Sequence, residues 1–225
     1  MIEIQEQIYL SSKTIIEMLN DRKLNITSGI RNYIYSNFLE MYKHFNNYSE
    51  IFDIKGIDKN NNKTIVHFIK DINDNKIGNL IGIKDNKDSK SSKKEIIQLY
   101  NFIKAINQLS NNDNIVFVIC YGQKLHPSHI ELEKMLDNVQ IFHINSLIFN
   151  ITKHKYVPKH ELLNKEEINT LKKKLNINSV NQLPVILTND PVAKYLNMKN
   201  GDVCRIYRPS PSTQIHICYR VCMDY

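Results

Sequence analysis

The sequence has only six glycines, six prolines and four cysteines in 225 residues, and no apolar run approaches the roughly 18 residues a membrane span needs. None of the glycines has the spacing of a phosphate-cradling loop, so nucleotide chemistry of that kind is not expected. The cysteines are Cys120, Cys204, Cys218 and Cys222, and Cys120 lies inside an apolar run. Reduced thiols in a cytosolic or nuclear setting fit them best. Glu3, Gln5 and Glu6 stand where a signal peptide has its basic and apolar regions, so a soluble, non-secreted chain with no membrane partner is expected. Asn25-Ile26-Thr27 and Asn150-Ile151-Thr152 then match the glycosylation pattern only by chance in an Asn-rich chain.

What is present points to two modest domains. The length exceeds the commonest single-domain size, and 42% apolar content is enough to pack a core. The net charge of +7 is unevenly spread: residues 1–150 hold 18 Lys/Arg against 17 Asp/Glu, whereas residues 151–225 hold 12 against 6. That asymmetry points to acidic neighbours around the last third, or to a solvated lysine face. The abundance of Asn, Ile and Lys reflects coding bias and says little about fold.

Along the first part, Ile15, Ile16 and Leu19 follow Ser11-Ser12, and Ile30, Ile34, Phe38, Met41 and Phe45 recur at helical spacing, predicting two amphipathic helices. The β-branched run 64–69 predicts a strand. The polar stretch 71–94 predicts a loop with a short strand at 80–83, and Ile96, Ile97, Tyr100, Ile103 and Ile106 predict a further helix. The continuous apolar run 115–121 is the pattern of a strand buried on both faces. A helix capped by Ser128 and a strand at 139–144 complete a β-α-β order, which favours a parallel, α/β first domain.

After Pro158 the pattern changes. Asn164 with Glu167 makes a capping pair, Asp190-Pro191 opens a second short helix through Tyr195, and Asn200-Gly201 signals a turn before a strand at 203–207. In the last strand Ile215, Ile217, Tyr219, Val221 and Met223 alternate with Gln214, His216, Cys218, Arg220 and Cys222, predicting one core face and one polar face. The result is a small α+β unit that leans on a partner.

These residues carry a resemblance. Asn150-Ile151-Thr152-Lys153-His154, Val157-Pro158-Lys159-His160, Gln182-Leu183-Pro184, Asp190-Pro191-Val192-Ala193-Lys194-Tyr195, Gly201, Arg208-Pro209-Ser210 and Tyr219-Arg220-Val221 occur in this order over the last third. Together they resemble the C-terminal signature of the fifth-largest subunit shared by eukaryotic RNA polymerases I, II and III, which has an archaeal relative without the first domain. Lys13-Thr14-Ile15, Met18-Leu19, Asp21-Arg22 and the loop 122–128 are similar to the eukaryotic members' first domain. The resemblance implies an N-terminal jaw domain at 1–146, α/β with a nuclease-like fold but no nuclease activity, and an α+β C-terminal assembly domain at 147–225. Three positions depart from the family: Val185 where an arginine follows Leu-Pro, Asn197 where a glycine stands, and 210–215, which lacks the usual glycine and arginine. Asn is the next-best residue after Gly where a helix end needs a left-handed conformation. The departures imply a divergent lineage, with a large nucleocytoplasmic DNA virus expected as source and an AT-rich protist second.

The function implied is that of a non-catalytic polymerase subunit without cofactor or metal. Its partners would be the largest subunit, other small polymerase subunits and, non-specifically, downstream duplex DNA. It would act in the nucleus if cellular, or in virion and cytoplasmic viral factory if viral. The implied subunit interface comprises His154, Val157, Pro158, His160, Leu183, Pro184, Asp190, Pro191, Val192, Ala193, Tyr195, Arg208, Tyr219 and Arg220. The DNA-proximal loop comprises Gln123, Lys124, His126, Pro127, Ser128 and His129. Two rival classes are a metal-dependent nuclease and a free transcription regulator derived from the subunit. Asp85-Asn86-Lys87 is the one match to a nuclease pattern, and it falls in the polar loop, away from any rigid element. His154 and His160 lack a second ligand pair, and alternate residues such as His216 and Cys218 stand about 7 Å apart along a strand, too far to chelate one ion without a bend.

Overall fold

Ile8, Ile15, Met18 and Leu19 recur at helical spacing and are fully buried, which fixes the inward stripe of α1 (Ile4–Asp21). This computed structural model describes residues 3–28, 35–43, 53–69, 97, 101, 109–110, 112–120, 124–125 and 127–224. Ser11 and Ser12, expected at the helix start, lie inside α1. Their hydroxyls donate to the carbonyls of Ile8 and Tyr9 at 2.9 and 2.7 Å, so they do not interrupt it. The chain divides into Met1–Phe149 and Asn150–Tyr225, three residues beyond the expected boundary.

In the first unit α1 is followed by β1 (Asn25–Ser28), α2 (Tyr35–Lys43), β2 (Ile54–Ile57), β3 (Lys63–Ile69), β4 (Asn114–Ile119), α3 (Pro127–Met135) and β5 (Val139–His143). The strands form one sheet in the order β1-β2-β3-β4-β5. β3, β4 and β5 are parallel, as the β-α-β order predicts, but β1 and β2 join antiparallel and make the sheet mixed. β2, Ile-Lys-Gly-Ile, is too short to show a period. It is joined to β3 by a turn in which Asp58 accepts the backbone N–H groups of Asn60 and Asn62, each at 2.8 Å, with Asn61 at φ 64°. Buried Asp113 ties strand starts together by accepting from the N–H groups of Lys63 and Ser110.

Both faces of the central strands are buried. Ile65, Ile115, Phe117, Ile119 and Ile141 pack with Leu132 of α3, while Val66, Phe68, Val116 and Val118 fill the opposite side. Asp53 and His67, opposed across β2 and β3, are buried with Oδ1 2.6 Å from Nδ1. The expected strand at 80–83, the loop 71–94, Ile30, Ile34, Phe45 and most of the helix from Ile96 to Ile106 fall outside the described residues.

The second unit holds β6 (Lys159–Leu162), α4 (Lys165–Leu175), β7 (Val185–Leu187), α5 (Pro191–Tyr195), β8 (Val203–Ser210) and β9 (Gln214–Met223). Its sheet order is β6-β8-β9-β7, with β7 parallel to β9 and the other pairs antiparallel. Gly201, at φ 90° in the turn before β8, adopts a conformation that suits glycine.

The expected single core face of β9 is corrected here. Val203 and Val221 pack with Leu171 of α4, whereas Cys204, Ile206 and Cys222 pack on the other side with Ala193 of α5 and Met198. Cysteine behaves as a small apolar residue, so the alternation that reads as polar is a second core. Burial pushes the Cys204 and Cys222 thiols up to about 11, which keeps them protonated and unreactive near neutral pH. Conversely, residues 214–217 are exposed on both faces.

Candidate subunit interface

The signature Asp190-Pro191 builds the centre of the second unit. Asp190 accepts the N–H groups of Val192 at 2.8 Å and Ala193 at 3.4 Å, Pro191 occupies the first helical position, and Asn197 closes α5 at φ 55°. Such a cap contributes about 1 kcal/mol. Its effect is to seat Val192, Ala193 and Tyr195 inside. Asn150 Nδ2 donates to Tyr195 Oη at 3.1 Å, and Asn150 Oδ1 accepts from Thr152 N–H at 3.0 Å, so the unit's first residue is fastened to α5.

Between Asn150 and β6 the histidines fasten the connecting segment. His154 Nδ1 accepts the Tyr156 N–H at 3.3 Å, and His160 lies 2.7 Å from the Pro158 carbonyl through Nδ1, which therefore carries the proton. Burial lowers the His160 pKa, and Arg208 and Arg220 push the same way, against the Pro158 carbonyl and Asp190. A depressed histidine pKa means the unfolded chain binds the extra proton first. The contribution of neutral His160 to stability is therefore full above its unfolded pKa of about 6.5 and is lost as pH falls through the lower folded value. The melting temperature of the full chain is expected to fall between about pH 7.5 and about pH 5.5, and to fall less in His160→Gln. Equal slopes in thermal melts of the two proteins would contradict this.

The sheet presents two different faces beyond its cores. On one, His160, Arg208, His216 and Arg220 gather, with Arg208 opposite His216 in register and Arg220 Nη1 donating to the Val185 carbonyl at 2.9 Å. On the other, Tyr207 donates to Glu161 at 2.6 Å, Lys159 pairs with Glu161 at 2.6 Å, and Arg205 pairs with Glu167 at 3.2 Å. Lys159, and then Tyr207, hold the Glu161 carboxyl below the usual range. Sequence reasoning missed this network, because Glu161, Arg205 and Tyr207 are neighbours only through the β6–β8 register.

Of the residues expected at a subunit interface, His154, Pro184, Pro191 and Arg208 are exposed, and Val157, Pro158, His160, Asp190, Tyr219 and Arg220 are partly so. Leu183, Val192, Ala193 and Tyr195 are buried in the unit's own interior. That corrects their assignment from direct contact to packing beneath the surface: a side chain already enclosed has no area left for a partner.

In the first unit Lys124 and Pro127 are exposed, whereas His129 is 3% exposed, so a DNA-facing role for His129 is corrected to an inward place in the first turn of α3. Gln123, His126 and the Ser128 side chain lie outside the described residues.

The family described as RNA polymerase Rpb5, C-terminal domain, matches residues 149–222, beginning one residue before the second unit. Over 71 residues the chain is 44% identical to the DNA-directed RNA polymerase subunit Rpo5 of Methanocaldococcus jannaschii, a match covering 32% of this chain and 90% of that one. The chain belongs to the Rpb5 family. Against subunit rpabc1 of DNA-directed RNA polymerases I, II and III from Dictyostelium discoideum it is 45% identical over 82 residues, covering 36% of this chain and 41% of the relative. Against DNA-directed RNA polymerase V subunit 5A of Arabidopsis thaliana it is 39% identical over 82 residues, covering 36% of each. The Rpb5 relationship inferred from the ordered motifs is therefore confirmed, and it rests on the second unit. The archaeal Rpo5 is matched over 90% of its length by 71 residues of this chain.

Proposed function

We propose that this chain is a non-catalytic subunit of a multisubunit DNA-directed RNA polymerase, docked through residues 150–225 on the largest subunit and touching other small subunits. The observation that carries this reading is the coincidence of the Rpb5 match at 149–222 with a self-contained unit at Asn150–Tyr225. The exposed and half-exposed signature residues His154, Val157, Pro158, His160, Pro184, Asp190, Pro191, Arg208, Tyr219 and Arg220 form the contact surface, with the four buried ones shaping it from beneath. Residues 1–149 act as a jaw with the nuclease-like fold of the eukaryotic members, beside downstream duplex DNA. Lys124 there supplies a permanent cation to phosphates, and such contacts are weak and indifferent to base sequence. The chain supplies position and electrostatics while chemistry belongs to the large subunits. It works in the nucleus if cellular, or in a cytoplasmic factory if its source is a large DNA virus.

Affinity purification of the tagged full chain from cells that make it tests the proposal. The two largest polymerase subunits should co-purify in stoichiometric amount, resistant to nuclease treatment. A chain recovered without them would support the free-regulator alternative.

A further inference from the structure

β8 pairs with β6 only over Cys204 to Tyr207, and β9 pairs with β7 only over Val221 to Met223. The remaining lengths of β8 and β9 continue as a two-stranded arm with two edges. Those edges differ. On β8 the edge carries Pro209, which has no N–H to offer and so blunts it.

The direction of the β9 backbone follows from bonds at its base. The Cys222 N–H donates to the Asp202 carbonyl at 2.7 Å and its carbonyl accepts from Gly201 at 2.8 Å, so Cys222 faces the β8 side. Val221 N–H donates to the Pro184 carbonyl at 2.9 Å, and the Met223 carbonyl accepts from Thr188 at 3.1 Å, so these two face β7. Because direction alternates along an antiparallel strand, Ile217 and Tyr219 share the orientation of Val221. Their N–H and C=O groups point away from β8, where no described strand lies alongside. The Ile215 N–H is held by the Thr213 carbonyl at 2.6 Å.

The side chains along this edge are equally unprotected. Ile215 and Ile217 are 59% and 46% exposed and share a face with Pro209 and Tyr207. The opposite face carries Arg208 and Arg220, and among the described residues neither is in an ion pair. Sheet edges are ordinarily shielded by proline, lysine or a covering element, and among the described residues this one has none of these.

We propose that the open edge of β9 accepts an extended strand from a neighbouring polymerase subunit, one alternating apolar side chains over Ile215 and Ile217 with acidic side chains toward Arg208 and Arg220. This rests on the polymerase reading above. The main chain of Ile217 and Tyr219 supplies the hydrogen bonds, and the two faces of the arm select the sequence.

The test compares amide exchange of the full chain alone and within purified polymerase, together with the variants Ile217→Pro and Ile217→Val. Pro at 217 deletes a donor that the β8–β9 ladder does not use, whereas Val keeps it. In the assembled enzyme the Ile217 and Tyr219 amides should exchange about tenfold more slowly or better, and co-purification with the two largest subunits should drop in the Pro variant but not in the Val variant. Unslowed amides in a polymerase that retains the chain would overturn strand addition and leave the polymerase reading standing, as would normal assembly of Ile217→Pro. Wild-type chain that fails to co-purify would overturn both. Protection that rises with the concentration of the chain alone, with a dimer by light scattering, would replace the neighbouring subunit by a second copy.

Discussion

Replacing Val221 by Asp is expected to unfold the second unit and abolish association with polymerase. Val221 is fully buried, bonded through its N–H to Pro184 and packed with Val203, Leu163, Leu171 and Leu183 between β9 and α4. Losing its apolar burial costs about 2 kcal/mol. Enclosing a carboxyl without a partner costs roughly 2–7 kcal/mol more even when it is protonated. A unit of roughly 75 residues has a total stability of roughly 4–11 kcal/mol, so the loss takes most of it. Denaturant unfolding of the full chain should lose the second unit's transition, and co-purification with the two largest subunits should vanish. Retained association by an unfolded second unit would contradict the assignment of docking to residues 150–225.

The matched expectation in the first unit has the opposite functional outcome. Phe117 lies at the centre of β4, fully buried among Ile65, Ile119, Leu132 and Ile141. Phe117→Ala should lower the stability of that unit by about 3–5 kcal/mol, the cost of a large cavity in a close-packed core. Association with polymerase should persist, because all of the family match but Phe149 lies outside that unit. If Phe117→Ala lost association as completely as Val221→Asp, the first unit would have to carry docking as well.

How far sequence reasoning reached depended on the range of the interactions involved. The caps at Asn164 and Asp190, the left-handed Asn197 and the buried run of β4 are all governed by residues within a few positions of one another, and each was legible. β7, three residues long, and β1 and β2, four residues each, offer too few positions for a period and exist because neighbouring strands bind them. The two-sided burial of β9 was hidden for a different reason: Cys218 and Cys222 read as polar in an alternation but pack as apolar side chains. At the candidate interface, the ordered motifs identified the family and the unit. They did not separate contact from support, since Ala193 and Tyr195 stand in the same motif as exposed Pro191 and differ from it only by where a short helix turns them.

The most direct measurement divides the chain at its own boundary. Residues 1–149 and 150–225, prepared separately, are each offered to polymerase depleted of this chain, and incorporation is read by native mass spectrometry. The account predicts one copy of 150–225 per enzyme and no stable uptake of 1–149. Uptake of 1–149, or exclusion of 150–225, would contradict it.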